Sequence, residues 1–188
     1  MNAVPIQQRS IYFTTREALI LLLGSILLTV SAKIVVPFYP VPMSTQTVIV
    51  LGLGLFLGPI RGSLVVFVYL LEGIFGLPVF AGTPPAPAGL AYVFGPTGGF
   101  LAGFLLAAAV TGWIVRRIDG IPLVLTTALA VVAGSVVLYI PGLIWLGNFV
   151  GYEKRLLEVG LYPFILGDAV KAAIAITLYV IVRGRRSI

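Results

Sequence analysis

Six apolar stretches divide this 188-residue sequence, and proline, glycine or arginine punctuates the breaks between them. They run over about 16–36, 44–57, 62–75, 97–115, 122–139 and 161–182. Most are hydrophobic all round, which is the pattern of a helix facing lipid or buried in a bundle. Only 10% of the residues are charged, against about 25% in a soluble domain, so no polar coat is available for so much apolar surface. The expected fold is an all-α integral membrane protein of six transmembrane helices, forming a single membrane domain over 1–188. The second and third stretches hold fourteen residues each, about 21 Å at helical rise, short of a hydrocarbon core of about 30 Å. Short helices of this kind often border the binding cavity of transport proteins.

Arg9 and Arg16 precede the apolar run 18–32, which ends Val30-Ser31-Ala32 and so resembles a secretory signal with a small-residue cleavage site. Because further spans follow, the run is read as a first transmembrane helix. Orientation follows from the basic residues. Arg9, Arg16, Arg61, Arg116, Arg117, Arg183, Arg185 and Arg186 all fall on one face if there are six spans, and the other face has Lys154 and Arg155 beside Glu153 and Glu158. This predicts both termini inside. The inner turns are short, whereas the outer connections 37–42, 76–96 and 140–160 are long and rich in proline, glycine and aromatics. Long connections of that composition act as lids or binding loops.

The net charge of +6 does not point to nucleic acid, because no basic run is interleaved with aromatics. The chain contains neither cysteine nor histidine. Disulfides, thiolate or imidazole metal sites and Ser-His-Asp catalysis are thereby excluded. No Gly-Lys-Ser/Thr follows the glycine-rich run 95–99, so the chain has no Walker A phosphate loop.

Four ionisable residues sit within or at the ends of the apolar stretches: Lys33, Glu72, Asp168 and Lys171. A charge at membrane depth costs on the order of 2.5–3.5 kcal/mol on insertion scales and usually marks a site. Asp168 and Lys171 stand three apart and share a helix face. They read either as pocket lining or as an internal pair locking the last helix to its neighbours. Lys33 and Glu72 read either as pocket lining or as side chains snorkelling to the interface. Small residues around the pair, Ala169, Ala172, Ala173 and Ala175, permit close helix approach.

Five segments occur in a fixed order: Pro40-Val-Pro-Met-Ser-Thr-Gln-Thr47, Leu57-Gly-Pro-Ile-Arg-Gly62, Tyr69-Leu-Leu-Glu-Gly-Ile-Phe-Gly-Leu-Pro-Val-Phe-Ala-Gly82, Gly95-Pro-Thr-Gly-Gly-Phe100 and Gly167-Asp-Ala-Val-Lys-Ala172. In this order and spacing the sequence resembles the BioY family, the biotin-binding S components of energy-coupling factor (ECF) transporters, over roughly residues 16–182. The resemblance implies a six-helix S-component fold with an outward-facing pocket capped by loops. It implies biotin as transported ligand, contacted by Asp168 and Lys171, and no cofactor. It also implies a transmembrane coupling protein and two cytoplasmic ATPases as partners, in a prokaryotic plasma membrane.

The residues suit that ligand. An ammonium such as Lys171 matches the biotin carboxylate, and a carboxylate such as Asp168 matches the ureido N–H groups. Phe80, Tyr92, Trp145 and Tyr152 are candidate walls for the bicycle, or else interfacial aromatics; Glu72, Gln46 and Asn148 are further polar candidates. The sequence departs from the family pattern in two places. Residues 83–89 are proline-rich where a glycine-rich loop is usual, which predicts a stiffer lid. The first helix lacks Ala-x-x-x-Ala, the small-residue pattern by which S components are expected to meet the coupling protein, and has only Ser25 with Thr29. Three rivals stand beside the leading reading: a solitary biotin carrier working as an oligomer, an S component for another vitamin, and a membrane enzyme using Asp168 or Glu72 as acid or base.

Overall fold

The computed structural model describes residues 15–81 and 89–185. Arg9 and Arg186, and most of the proline-rich segment 83–89, lie outside the described residues. Helix α1 covers Thr15–Lys33, a two-residue hairpin pairs β1 (Val35–Val36) with β2 (Met43–Ser44), and α2 (Gln46–Leu57) and α3 (Pro59–Ile74) follow. A single turn, α4 (Leu90–Val93), then leads into α5 (Gly98–Arg117), α6 (Leu123–Val150), α7 (Lys154–Gly160) and α8 (Tyr162–Gly184).

Each of the six expected apolar stretches contains one helix. Four regions, Thr15–Lys33, Gly98–Arg117, Leu123–Val150 and Lys154–Gly184, are long and apolar enough to cross a membrane, whereas α2 is a shorter apolar helix. Helix α5 is the centre of the bundle and packs on α2, α3 and α6. Glycines set how close it comes. A Cβ at Gly103 would strike the Leu138 backbone, one at Gly54 the Ala108 carbonyl, and one at Gly112 the Gly58–Pro59 peptide. The outer helices show two apolar faces. Leu21, Leu28 and Ala32 of α1 are buried, whereas Leu22, Leu23, Ile26 and Leu27 are exposed, which is the arrangement of a helix between a core and lipid.

The fifth helix differs from expectation. It does not end near residue 139 but runs through Pro141 to Val150, and α7 occupies much of the rest of the expected loop 140–160. Proline removes one i→i−4 hydrogen bond, but in apolar surroundings breaking the helix would leave several backbone groups unsatisfied. The helix stops instead at Gly151, whose φ of 87° is open to glycine. At 28 residues α6 is about 42 Å long, longer than the hydrocarbon core.

Candidate functional site

A cavity of about 50 Å³ lies at the end of the bundle opposite Arg61, Arg116 and Arg183. The segment 41–44, the start of α2, the first turns of α5, the middle of α6 and the first half of α8 enclose it. Proline and glycine shape this end. The hairpin folds 37–42 back over the bundle, with a cis Tyr39–Pro40 peptide. Gly167 lets that segment rest on α8, since a Cβ there would come within 2.7 Å of Met43 Sδ. Gly98 and Gly99 bring α5 against α6, where a Cβ would run into the Val93 carbonyl, the Pro141 carbonyl and the Trp145 side chain.

Asp168 and Lys171 both line this cavity. Lys171 Nζ donates to Asp168 Oδ1 at 2.8 Å, and the two side chains are only 12% and 13% exposed. The other carboxylate oxygen accepts from the Tyr139 hydroxyl of α6. The pair is therefore both an internal lock between α6 and α8 and cavity lining.

Gln46 also lines the cavity and is 3% exposed. Its side-chain oxygen accepts from Ser44 at 3.1 Å, and its amide donates to the Tyr69 hydroxyl at 2.8 Å. Tyr69 in turn donates to the Val79 carbonyl at 3.2 Å. This relay ties the hairpin, α2, α3 and the 76–81 loop together with every buried polar group paired, as low-dielectric surroundings demand.

Phe80 and Tyr92 are placed one shell away. Phe80 stacks on Tyr92 with centroids 4.8 Å apart and meets Tyr69 edge-on at 5.6 Å. Its neighbour Ala81 lines the cavity. The Tyr92 hydroxyl is buried with no hydrogen-bond partner, although Thr97 of the cavity wall lies beside it. Burial pushes this phenol above its ordinary range, so it remains protonated.

The remaining candidates stand apart from the cavity. Glu72 lies between α3 and α1, its oxygens 2.6 and 2.5 Å from Ser25 Oγ. Ser25 is 1% exposed and so faces inward instead of presenting a small-residue surface. Lys33 donates to the Phe80 carbonyl at 2.8 Å, tying the end of α1 to the 76–81 loop. Asn148 is exposed and bonds back to the Ile144 and Trp145 carbonyls. Trp145 donates from its indole to the Gly95 carbonyl at 2.8 Å, and the Tyr152 hydroxyl bonds to the Ile144 carbonyl.

The sequence reading missed Tyr139, Ser44, Thr97, Phe100 and Phe164, all of which line the cavity. Tyr139 carried a usable signal, because a tyrosine hydroxyl within an apolar helix needs a partner and Asp168 is an acceptor at membrane depth. Among the described residues no group of three or more metal-ligating side chains occurs.

A bundle of apolar helices, with a buried charged pair and a buried amide lining a cavity beneath folded-back loops, has the build of a multi-pass membrane protein. The chain belongs to the BioY family, whose model matches residues 5–187. It is 36% identical over 163 residues to a probable biotin transporter BioY of Pyrococcus horikoshii, covering 87% of this chain and 93% of that protein. It is 37% identical over 147 residues to the biotin transporter BioY of Rhizobium etli (75% and 77% covered). Against the biotin transporter BioY of Thermotoga maritima it is 35% identical over 149 residues (79% and 85% covered). The fold matches the crystal structure at 2.1 Å of the S-component for biotin from an ECF-type ABC transporter, with a TM-score of 0.73 and 23% identity over 91% of this chain and 94% of that one.

Proposed function

We propose that this protein binds biotin at its outer face and carries it across the prokaryotic plasma membrane as the substrate-specific component of an ECF-type transporter. The observation that carries this reading is the Asp168–Lys171 pair, with Tyr139 on the same carboxylate, lining a cavity beneath the 37–44 segment. The curated relatives are named as biotin transporters, and the ligand chemistry fits the pair. Lys171 takes the biotin carboxylate, and Asp168 takes the ureido N–H groups. Gln46 offers an amide that matches the ureido carbonyl. ATP is hydrolysed by partner subunits, and this chain performs no chemistry on its ligand.

A cavity of about 50 Å³ is far below the roughly 300–1,000 Å³ of usual small-molecule sites. Binding therefore requires displacement of the covering elements. These are the 37–44 segment and the 76–81 loop, whose Ala81 lines the cavity. In exchange for the Lys171 bond Asp168 receives the ureido donors, while the Tyr139 hydroxyl stays on its other oxygen and holds the carboxylate in orientation.

The test is biotin binding to the purified protein in detergent, alongside Lys171→Ala and biotin methyl ester. Removing one member of a buried charge pair costs about 2–5 kcal/mol, roughly 30-fold and upward in affinity. A loss of that size for Lys171→Ala on biotin, together with weak binding of the ester to the parent, supports the assignment. Equal binding of acid and ester would place the carboxylate away from Lys171. No biotin binding by folded protein would turn the reading toward another vitamin.

A further inference from the structure

At the opposite end of the bundle, three cavities meet. An apolar groove of about 650 Å³ runs between α1, α2 and α8, walled by Leu23, Leu27, Gly52, Phe56, Ile174 and Leu178 among others. Phe56 also lines a cavity of about 390 Å³ with Arg116, Tyr179 and Arg183. Arg116 lines a third, of about 240 Å³, with Leu57, Pro59, Ile60 and Arg61. The groove thus opens directly onto cationic ground.

The three arginines are not equivalent. Arg61 is engaged by Glu17, with Nη2–Oε1 at 2.5 Å and Nε–Oε2 at 3.0 Å. Arg183 donates to the Tyr179 hydroxyl at 3.3 Å. Arg116 forms no ion pair among the described residues. Its guanidinium packs flat against Gly58, where a Cβ would overlap it and where φ is +85°. It is held in place without a counter-charge. The first turn of α3 adds to this field. Gly62 N bonds to the Gly58 carbonyl, whereas the amides of Ile60 and Arg61 belong to the positive end of a 16-residue helix. Basic pockets between membrane helices, joined to an apolar groove, suit a lipid with a negative headgroup.

We propose that this end is a binding site for one anionic phospholipid, its phosphate between Arg116, Arg183 and the first turn of α3 and an acyl chain in the α1–α2–α8 groove. The site is separate from the cavity at the other end and does not depend on what that cavity binds.

The experiment is native mass spectrometry of the purified full chain from micelles containing equimolar phosphatidylglycerol and phosphatidylcholine. The parent protein is expected to retain one phosphatidylglycerol in preference to phosphatidylcholine. Arg116→Gln with Arg183→Gln should lower that retention roughly 25-fold, about fivefold per arginine. Arg185→Gln removes one positive charge outside the three cavities and should leave retention unchanged, where a diffuse effect would lower it about fivefold. Gly52→Phe fills the groove with the arginines intact and should also lower it; a Cβ at Gly52 meets nothing within 4 Å, so the side chain leaves the backbone without a clash. Thermal unfolding in detergent confirms the fold of each variant independently of biotin.

Equal retention of the two lipids overturns the proposal, as does a loss of about fivefold in Arg185→Gln, which would signify diffuse attraction. Indifference to Gly52→Phe, with inorganic phosphate displacing the bound anion, would mean a phosphate site with no lipid chain. A parent protein that retains no lipid would mean a groove for a partner's helix.

Discussion

Asp168 is the residue on which the candidate site turns, because each of its oxygens is already committed, one to Lys171 and one to Tyr139. Tyr139→Phe removes a hydrogen bond to a charged group, worth about 1.5–3 kcal/mol. The expected outcome is a loss of roughly tenfold or more in biotin affinity by titration calorimetry, with a lowered unfolding temperature. Unchanged affinity would reduce Tyr139 to a structural brace. Tyr92 is the opposite case, since its buried hydroxyl lacks a partner. Tyr92→Phe is expected to leave the free protein as stable or slightly more so, by up to about 1 kcal/mol, because an unmade hydrogen bond is removed. It should weaken biotin binding if the ligand supplies the missing acceptor, and equal affinity would show that it does not. Asp168 and Lys171 were legible in the sequence because charge in an apolar helix is conspicuous. Gln46 was legible only through its motif. Tyr139 advertised only its need for a partner, because a tyrosine near the end of an apolar stretch reads as an interfacial residue until its facing helix is known. Glu72 is conspicuous for the same reason as Asp168, yet its helix turns it toward Ser25 of α1. Charge marks a buried polar contact; only three-dimensional placement says which one.

At the scale of elements, apolar stretches located six helices but misjudged one end. Pro141 read as a stop, because in water a proline usually ends a helix. Surrounded by apolar neighbours, α6 runs through it to Gly151, and Trp145 thereby reaches the Gly95 carbonyl. The glycine pair that begins α5 is the counterpart of that extension. Gly99→Leu forces a side chain into the Pro141 carbonyl and the Trp145 side chain and should lower stability by about 1–3 kcal/mol or more, read as a drop in unfolding temperature in detergent. An unchanged temperature would mean that α5 and α6 separate easily. The 76–81 loop is fastened by Lys33 to the Phe80 carbonyl. Lys33→Ala should loosen that fastening and raise both association and dissociation rates of biotin several-fold. Rates equal to the parent's would free Lys33 from any part in gating.

For the whole molecule, we propose from the basic residues that the end carrying Arg61, Arg116 and Arg183 faces inside. A sequence without cysteine makes this directly testable. Asp119→Cys in the α5–α6 turn should react with an impermeant maleimide only after the cells are opened, and Arg155→Cys in α7 should react on intact cells. The reverse pattern would invert the proposed topology. Biotin uptake in a host lacking the coupling protein and ATPases separates the ECF reading from a solitary carrier, with loss of accumulation expected.

The glycine contacts of α5 reach beyond folding. Its neighbours touch it through backbone, at Gly54, Gly103 and Gly112, whereas α1 shows its leucines to lipid. A saturation scan of this chain would therefore divide sharply: a few glycine contacts around the central helix nearly closed to change, and lipid-facing positions, Leu106 of that helix included, where any greasy residue serves. Over evolutionary time such a protein drifts from the outside while the central helix keeps its small residues, and ancestry is better preserved in what α5 cannot accept than in what the surface displays.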